Sequence, residues 1–133
     1  MSYTASMISF MLQGLQKPII FTGSQLPIGE LRTDSKENLI TSIYYASLYQ
    51  NEMPVIKEVC LYFEYKLYRA NRTTKFSAEH FDAFISPNYP ILGESGVNLG
   101  VSSEYLLKSE SEFQVTTQIN TSVDIFTFFP GKK

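Results

Sequence analysis

The sequence predicts an α/β fold with parallel strands in its front half, and three observations carry the prediction. An apolar stripe at helical spacing is followed, past a proline, by a short continuous apolar run. A second helical stripe and a second, longer apolar run then follow in the same order. Alternating helix and strand is the pattern of elements that cover a parallel sheet. The back third has short alternating stretches between turn residues and adds antiparallel or edge strands.

The first stripe is Met7, Ile8, Met11, Leu12 and Leu15, so the expected helix runs up to Lys17-Pro18, with Gly14 loosening its last turn. Ile19-Ile20-Phe21, bounded by breakers, is a short strand expected to be buried on both faces, and it ends at Thr22-Gly23-Ser24-Gln25. Asp34-Ser35-Lys36-Glu37 has the spacing of a capping box and opens a second helix. Its apolar face is Leu39, Ile40, Ile43, Tyr44 and Ser47 or Leu48. Val55 to Phe63, broken only by Lys57-Glu58, suits a central strand, and Glu64-Tyr65-Lys66 turns it into a hairpin partner at Leu67-Tyr68-Arg69. Phe81 to Ile85 reads as a third strand and Ile91 to Gly100 as irregular or edge structure. Ser102 to Glu112 reads as a polar surface excursion, and Phe113-Gln114-Val115 and Val123-Asp124-Ile125-Phe126 as edge strands. A helix starts almost at Met1 and a rich apolar run stops at Pro130-Gly131-Lys132-Lys133, so the expectation is one chain of 133 residues cut from a larger protein at both ends.

Composition narrows the function. The chain is 44% hydrophobic and 14% aromatic, which is enough for one core. Eleven basic and thirteen acidic residues, without a run of either sign, do not make a nucleic-acid footprint. Cys60 is alone inside an apolar run, so cysteines build neither a disulfide framework nor a zinc site. With no basic leader and no apolar run near the roughly 20 residues that span a bilayer, the expectation is a soluble, cytoplasmic chain without membrane contact.

Two stretches carry chemistry. In Arg69-Ala70-Asn71-Arg72-Thr73-Thr74-Lys75, hydroxyls run into an ammonium. An ammonium beside a threonine hydroxyl lowers the cost of an alkoxide, or accepts its proton if burial depresses the lysine. The same residues also read as a basic, solvated turn at the end of a hairpin. At Thr22-Gly23-Ser24, small polar residues at a strand's carboxyl end let a ligand approach the backbone, or simply make a turn. Other chemistries lack their patterns. There is no G-x-G-x-x-G and no Walker lysine, so no nucleotide cofactor is expected, and no metal. The G-x-S-x-G elbow is absent around Ser24, and His80 reads as a surface residue. No two carboxylates pair on an apolar helix face.

The ordered series Ser2-Tyr3-Thr4-Ala5-Ser6, Lys17-Pro18-Ile19-Ile20-Phe21-Thr22-Gly23-Ser24-Gln25-Leu26-Pro27, Arg32-Thr33-Asp34 with Asn38-Leu39, and Leu67-Tyr68-Arg69 with Asn71-Arg72-Thr73-Thr74-Lys75 resembles the bacterial-type L-asparaginases, in particular their cytoplasmic branch. The match continues through Phe81-Asp82-Ala83-Phe84 and Ser86-Pro87-Asn88 to Phe129-Pro130-Gly131. The resemblance implies a Rossmann-like layered sheet and hydrolysis of asparagine through a threonine nucleophile that lies upstream of Met1. It implies Lys75 as the catalytic lysine, Ser24 and Gly23 as substrate contacts, no cofactor, and full-length relatives that are homo-oligomers. Residues 1–133 would then be part of the amino-terminal domain, ending at the junction to a carboxyl-terminal one. The asparaginase-like subunit of a tRNA-dependent amidotransferase and a non-catalytic binding module are the alternatives. Ala70 and Ser35 stand where relatives commonly have glycine, and Glu64-Tyr65 where they have an asparagine pair.

Overall fold

Val59–Phe63 forms the central strand, and all five of its side chains are buried. The computed structural model, which describes residues 1–108, 110–128 and 130–131, builds the fold around it. In chain order the first elements are α1 (Ser2–Met11), β1 (Leu12–Gln13), β2 (Ile19–Phe21), α2 (Ser35–Ala46), β3 (Tyr49–Gln50), β4 (Met53–Pro54), β5 (Val59–Phe63) and β6 (Lys66–Arg69). After a 3₁₀ turn at Ala70–Arg72 come β7 (Thr74–Lys75), β8 (Phe84–Ile85), β9 (Gly93–Ser95) and β10 (Leu99–Val101), then a 3₁₀ turn at Ser103–Tyr105 and β11 (Gln114–Val115). Five strands make one mixed sheet in the order β10-β9-β6-β5-β2. Within it β2 and β5 are parallel, with Ile19 opposite Val59, and the other pairs are antiparallel. The fold is therefore mixed α/β, and the two front strands expected to be parallel, β2 and β5, form that pair.

The two helices cover opposite faces of β5, as the strand's period of two requires. Cys60 and Tyr62 point into a core shared with Tyr45 of α2, Ile56, Leu67 and Leu92. Val59 points the other way, packing with Ala5 of α1 and Ala70. Leu61 and Phe63 share that alternate face and pack with Tyr68, Ala83 and Phe84. Each buried Val, Leu, Ile or Phe among them contributes about 1.5–3 kcal/mol by leaving water. Gly93 brings β9 close under α2: a Cβ there would stand 2.6 Å from the Gly100 carbonyl and 3.1 Å from the Tyr45 hydroxyl. That hydroxyl donates to the Gly100 carbonyl at 3.1 Å.

Several expectations need correction. α1 ends at Met11, well before Pro18, because Leu12–Gln13 leaves the helix to pair with β11. Gly14 sits at φ +65°, where an added Cβ would collide with the Glu112 carbonyl, so it serves a close backbone approach and not a helical turn. Met7 is exposed, and the buried side of α1 is Ser2 and Ala5. β2 is half-buried at all three positions, because it lies at an edge of the sheet. Only Phe84 and Ile85 of the third strand pair, and they pair with β7 outside the main sheet. Ile91 to Gly100 is more regular than expected, forming the β9–β10 hairpin on the main sheet. The Ser102 to Glu112 excursion is not wholly superficial, since Tyr105 and Leu106 pack against the core; its Ser109 lies outside the described residues. Val123 to Phe126 forms no strand, and Val123, Ile125 and Phe126 are exposed. Phe129 and the final Lys132-Lys133 also lie outside the described residues. Among the described residues no helix is long and apolar enough to cross a membrane.

The largest difference is α2. Its expected apolar face, with Leu39, Ile40, Ile43 and Tyr44, is exposed, and it buries Asn38, Thr41, Ser42 and Tyr45 instead. The helical period matches the spacing, and the inward face does not. The capping box is also absent: Asp34 precedes the helix in an αR conformation and its carboxylate makes no cap bond. It is used elsewhere.

Candidate functional site

A cavity of about 250 Å³ opens where the carboxyl ends of β2 and β5 meet the amino end of α1. Gly23, Ser24 and Gln25 line it from the loop after β2, Met1 and Ser2 from α1, and Lys75 from β7. Its apolar side is Phe63 and Phe84, whose rings meet edge-on at 5.1 Å between centroids. Lys75 is the register partner of Phe84 in the β7–β8 ribbon, which sets the two at the same level of the ribbon beside the cavity. Gly23, Ser24 and Lys75, separated by some fifty residues of sequence, thus share one cavity.

The arrangement favours an anion. α1 begins with no side-chain cap, and its first residues line the cavity together with Lys75, so a positive dipole end and an ammonium border the same space. Lys75 is exposed. The solvated-turn reading of Arg69 to Lys75 holds for Arg72, Thr74 and Lys75, which are exposed, but not for the start of the stretch. Ala70 is fully buried against α1, and Thr73 Oγ1 donates to the Arg69 carbonyl at 2.7 Å. Gly23 lacks a positive φ, and a Cβ added there would meet the Met1 sulfur at an ordinary 3.6 Å. Gln25 turns its side chain away, donating to the carbonyls of His80 (2.7 Å) and Ala78 (3.2 Å). His80 itself is exposed.

A second cavity of similar volume lies at the amino end of β5, between Glu58, Arg69 and Asn71. Its Glu58 and Arg69 charges are paired with each other. Arg69 donates to the buried Glu58 at 2.6 Å and to the Tyr105 carbonyl at 2.8 Å, and Glu58 also accepts from the Leu107 N–H. Burial works against the arginine's charge, and the Glu58 carboxylate outweighs it, so the Arg69 pKa is raised. This ion pair ties the 105–107 segment to β6. In sheets with parallel strands, ligands bind beyond the carboxyl ends, which favours the cavity with Lys75. Cys60, fully buried, has its thiol pKa pushed up by burial and then by Glu58, and is inert.

Sequence reading missed what holds the site. The buried Asp34 accepts from the backbone N–H groups of Gln25 (2.9 Å) and Leu26 (3.1 Å), and the buried Asn38 donates to the Gly23 carbonyl at 2.9 Å. The available signal was the spacing: Asp34 and Asn38 fall on one face of the helix, four residues apart.

Fold and cavity define a class: a mixed α/β protein with a small, anion-favouring site at the carboxyl ends of its parallel strands. Residues 1–106 match the family described as Asparaginase, N-terminal, and the chain belongs to that family. It is 44% identical to L-asparaginase 1 of Escherichia coli (strain K12) over 98% of its own length and 38% of that relative. It is 41% identical to the 60 kDa lysophospholipase of Mus musculus, over 98% of this chain and 23% of the other. The crystal structure of L-asparaginase I from Vibrio cholerae O1 biovar eltor str. N16961 superposes with a TM-score of 0.85 at 40% identity, covering 100% of this chain and 39% of that one. More distant relatives, at 30–33% identity, are subunits of glutamyl-tRNA(Gln) amidotransferases. The chain thus spans about two fifths of the length of the first of these relatives.

Proposed function

We propose that these residues form part of the Rossmann-like amino-terminal domain of a cytoplasmic asparaginase, which hydrolyses L-asparagine to L-aspartate and ammonia. The observation that carries the reading is the meeting of Gly23, Ser24 and Lys75 around one cavity at the amino end of α1, in a chain of this family. Residues 1–133 extend, on this reading, to the junction with a carboxyl-terminal domain, and the complete enzyme is a homo-oligomer.

The chemistry divides between this chain and a threonine outside it. That threonine's oxygen attacks the side-chain amide carbon, ammonia leaves with a transferred proton, and water then cleaves the resulting ester to give aspartate. Lys75 holds positive charge beside the hydroxyl and the attacking water, lowering the cost of the developing oxyanion. Gly23 and Ser24 let the substrate approach the backbone closely. The amino end of α1 favours the substrate's carboxylate. The reading requires no cofactor and no nucleic acid. The asparaginase reading is preferred to the amidotransferase subunit because the asparaginase relatives are the more similar.

Two measurements test this. The purified 133-residue polypeptide releases no ammonia from asparagine, because a lysine without its nucleophile forms no acyl intermediate; turnover by that polypeptide would overturn the division of labour. In the gene product that contains these residues, Lys75→Met lowers kcat by about 10²–10⁴. Gly23→Ala, which the fold accommodates, raises KM instead. A Lys75→Met variant with unchanged kcat sinks the proposal.

A further inference from the structure

The geometry points to Asp34 and Asn38 as a positioning pair that sets the loop carrying Gly23 and Ser24; the inference rests on the proposed role of that loop. Asn38 is fully buried and Asp34 nearly so. The Asp34 carboxylate accepts from Gln25 N at 2.9 and 3.1 Å and from Leu26 N at 3.1 Å. Asn38 Nδ2 donates to the Gly23 carbonyl at 2.9 Å and to Asp34 Oδ2 at 3.1 Å, and its Oδ1 accepts from Glu64 N at 3.0 Å. Apart from the bond that joins the two side chains, each of these contacts is made to backbone just past the carboxyl ends of β2 and β5.

The pattern around Ser24 is selective. The carbonyl before it and the N–H after it are tied, while among the described residues the network engages no backbone group of Ser24 itself. Thr33 and Ser35 extend the hold, both donating to the Leu26 carbonyl, at 3.0 and 2.8 Å. The loop is therefore fixed on both sides of Ser24, which lines the cavity together with Gly23 and Gln25. A buried carboxylate is costly unless hydrogen bonds compensate it, and an apolar helix face would fill the same space without that cost. α2 instead turns Asn38, Thr41 and Ser42 inward and leaves Leu39, Ile40 and Ile43 in water. That inversion is accounted for if the helix's first turns serve the loop. Asn38 also binds both strand ends at once, tying the Gly23 loop to the β5–β6 turn alongside Thr22, whose hydroxyl donates to the Tyr62 carbonyl at 3.0 Å.

Hydrogen exchange measured by NMR on the 133-residue chain reads the pair directly. In Asp34→Asn, which puts an N–H₂ group in place of one acceptor, the Gln25 and Leu26 amides exchange at least tenfold faster while the Cys60 amide keeps its protection. Asn38→Ser is the second variant, should the first not fold: the Glu64 amide loses its acceptor and exchanges at least tenfold faster. In the gene product containing these residues, both variants raise KM for asparagine at least tenfold. Ser42→Ala removes a buried hydroxyl from the same helix face, one that donates to the Asn38 carbonyl at 2.7 Å. It lowers the melting temperature without moving KM. Unchanged exchange in the variants, or a KM rise as large in Ser42→Ala, overturns the inference. Exchange behaving as stated in a gene product that does not turn over asparagine upholds the pair and overturns the proposed function.

Discussion

At Glu64 and Tyr65 the backbone takes φ of +45° and +66°, so a glutamate and a tyrosine occupy the two central positions of the β5–β6 turn. Such a turn suits Asn-Gly, because a side chain at positive φ crowds its own carbonyl. Tyr65→Gly is therefore expected to stabilise the chain by about 1 kcal/mol, read as a higher midpoint in urea. Glu64 bears a second burden. Burial first, then Asp34, Glu37 and Asp82, raise its carboxyl above the usual 4.5, with Lys66 opposing. A raised folded-state pKa means that the stabilising contribution is present below 4.5 and lost as pH rises through the folded value. Glu64→Gln accordingly raises the melting temperature at neutral pH, and the gain disappears below pH 4.5. A gain that persists in acid contradicts this account. Glu58 works in the opposite sense. Glu58→Ala leaves the Arg69 guanidinium, 13% exposed, without its carboxylate and is expected to cost about 3–5 kcal/mol. The hairpin was legible in the sequence from the apolar runs either side of it. The left-handed turn was not, since neither residue advertises positive φ.

At the scale of elements, α2 shows why a helix is easier to find than to orient. Its period follows from spacing alone, but its inward face follows from what it must touch. Here that is the backbone of the Gly23 loop and the Tyr62 hydroxyl, which donates to Glu37 at 2.6 Å. Burial, followed by the Glu37 hydrogen bond, pushes the Tyr62 phenol well up, so it stays a donor at any working pH. Polar residues facing inward defeat a reading that sends apolar residues to the core. The exposed stripe makes a direct check possible. Ile40 is 66% exposed, so Ile40→Lys leaves the unfolding free energy within about 0.5 kcal/mol of the parent, read from urea denaturation. If the stripe were the core face, as its sequence suggested, the same change would unfold the chain. β5 is the contrast: a continuous apolar run with no room for a polar face, legible in the sequence because both its faces are covered. The site followed the same division. Gly23 and Ser24 stood out as small residues past a strand end and Lys75 as an ammonium after two hydroxyls, with a role implied only by the resemblance, whereas Asp34 and Asn38 offered a spacing but no sign of their partners, which are backbone groups.

At the scale of the molecule, the order of strands was not legible, because it depends on contacts far apart in the chain. Among the described residues it leaves β2, one member of the single parallel pair in the main sheet, at an edge with three half-buried apolar residues. In a parallel pair the N–H and C=O of one residue point to the same neighbour, and those of the next point away. Ile19 N donates to the Glu58 carbonyl at 3.3 Å, so the Ile20 amide points to the open edge. An edge of this kind is a template for another strand. Hydrogen exchange distinguishes the free edge from a covered one. In dilute solution the Ile20 amide is expected to exchange far faster than those of Cys60 and Leu61, which lie inside the sheet. As concentration rises, the open edge and the apolar stripe of α2 favour self-association. If the edge is the contact, protection appears at Ile20 in step with an increase in sedimentation coefficient. If the α2 stripe is the contact, Ile40→Lys abolishes association while Ile20 stays unprotected throughout. A sharp, monodisperse monomer at every concentration, with Ile20 protected from the start, would mean that the edge is already closed and that β2 is not the outermost strand of the sheet.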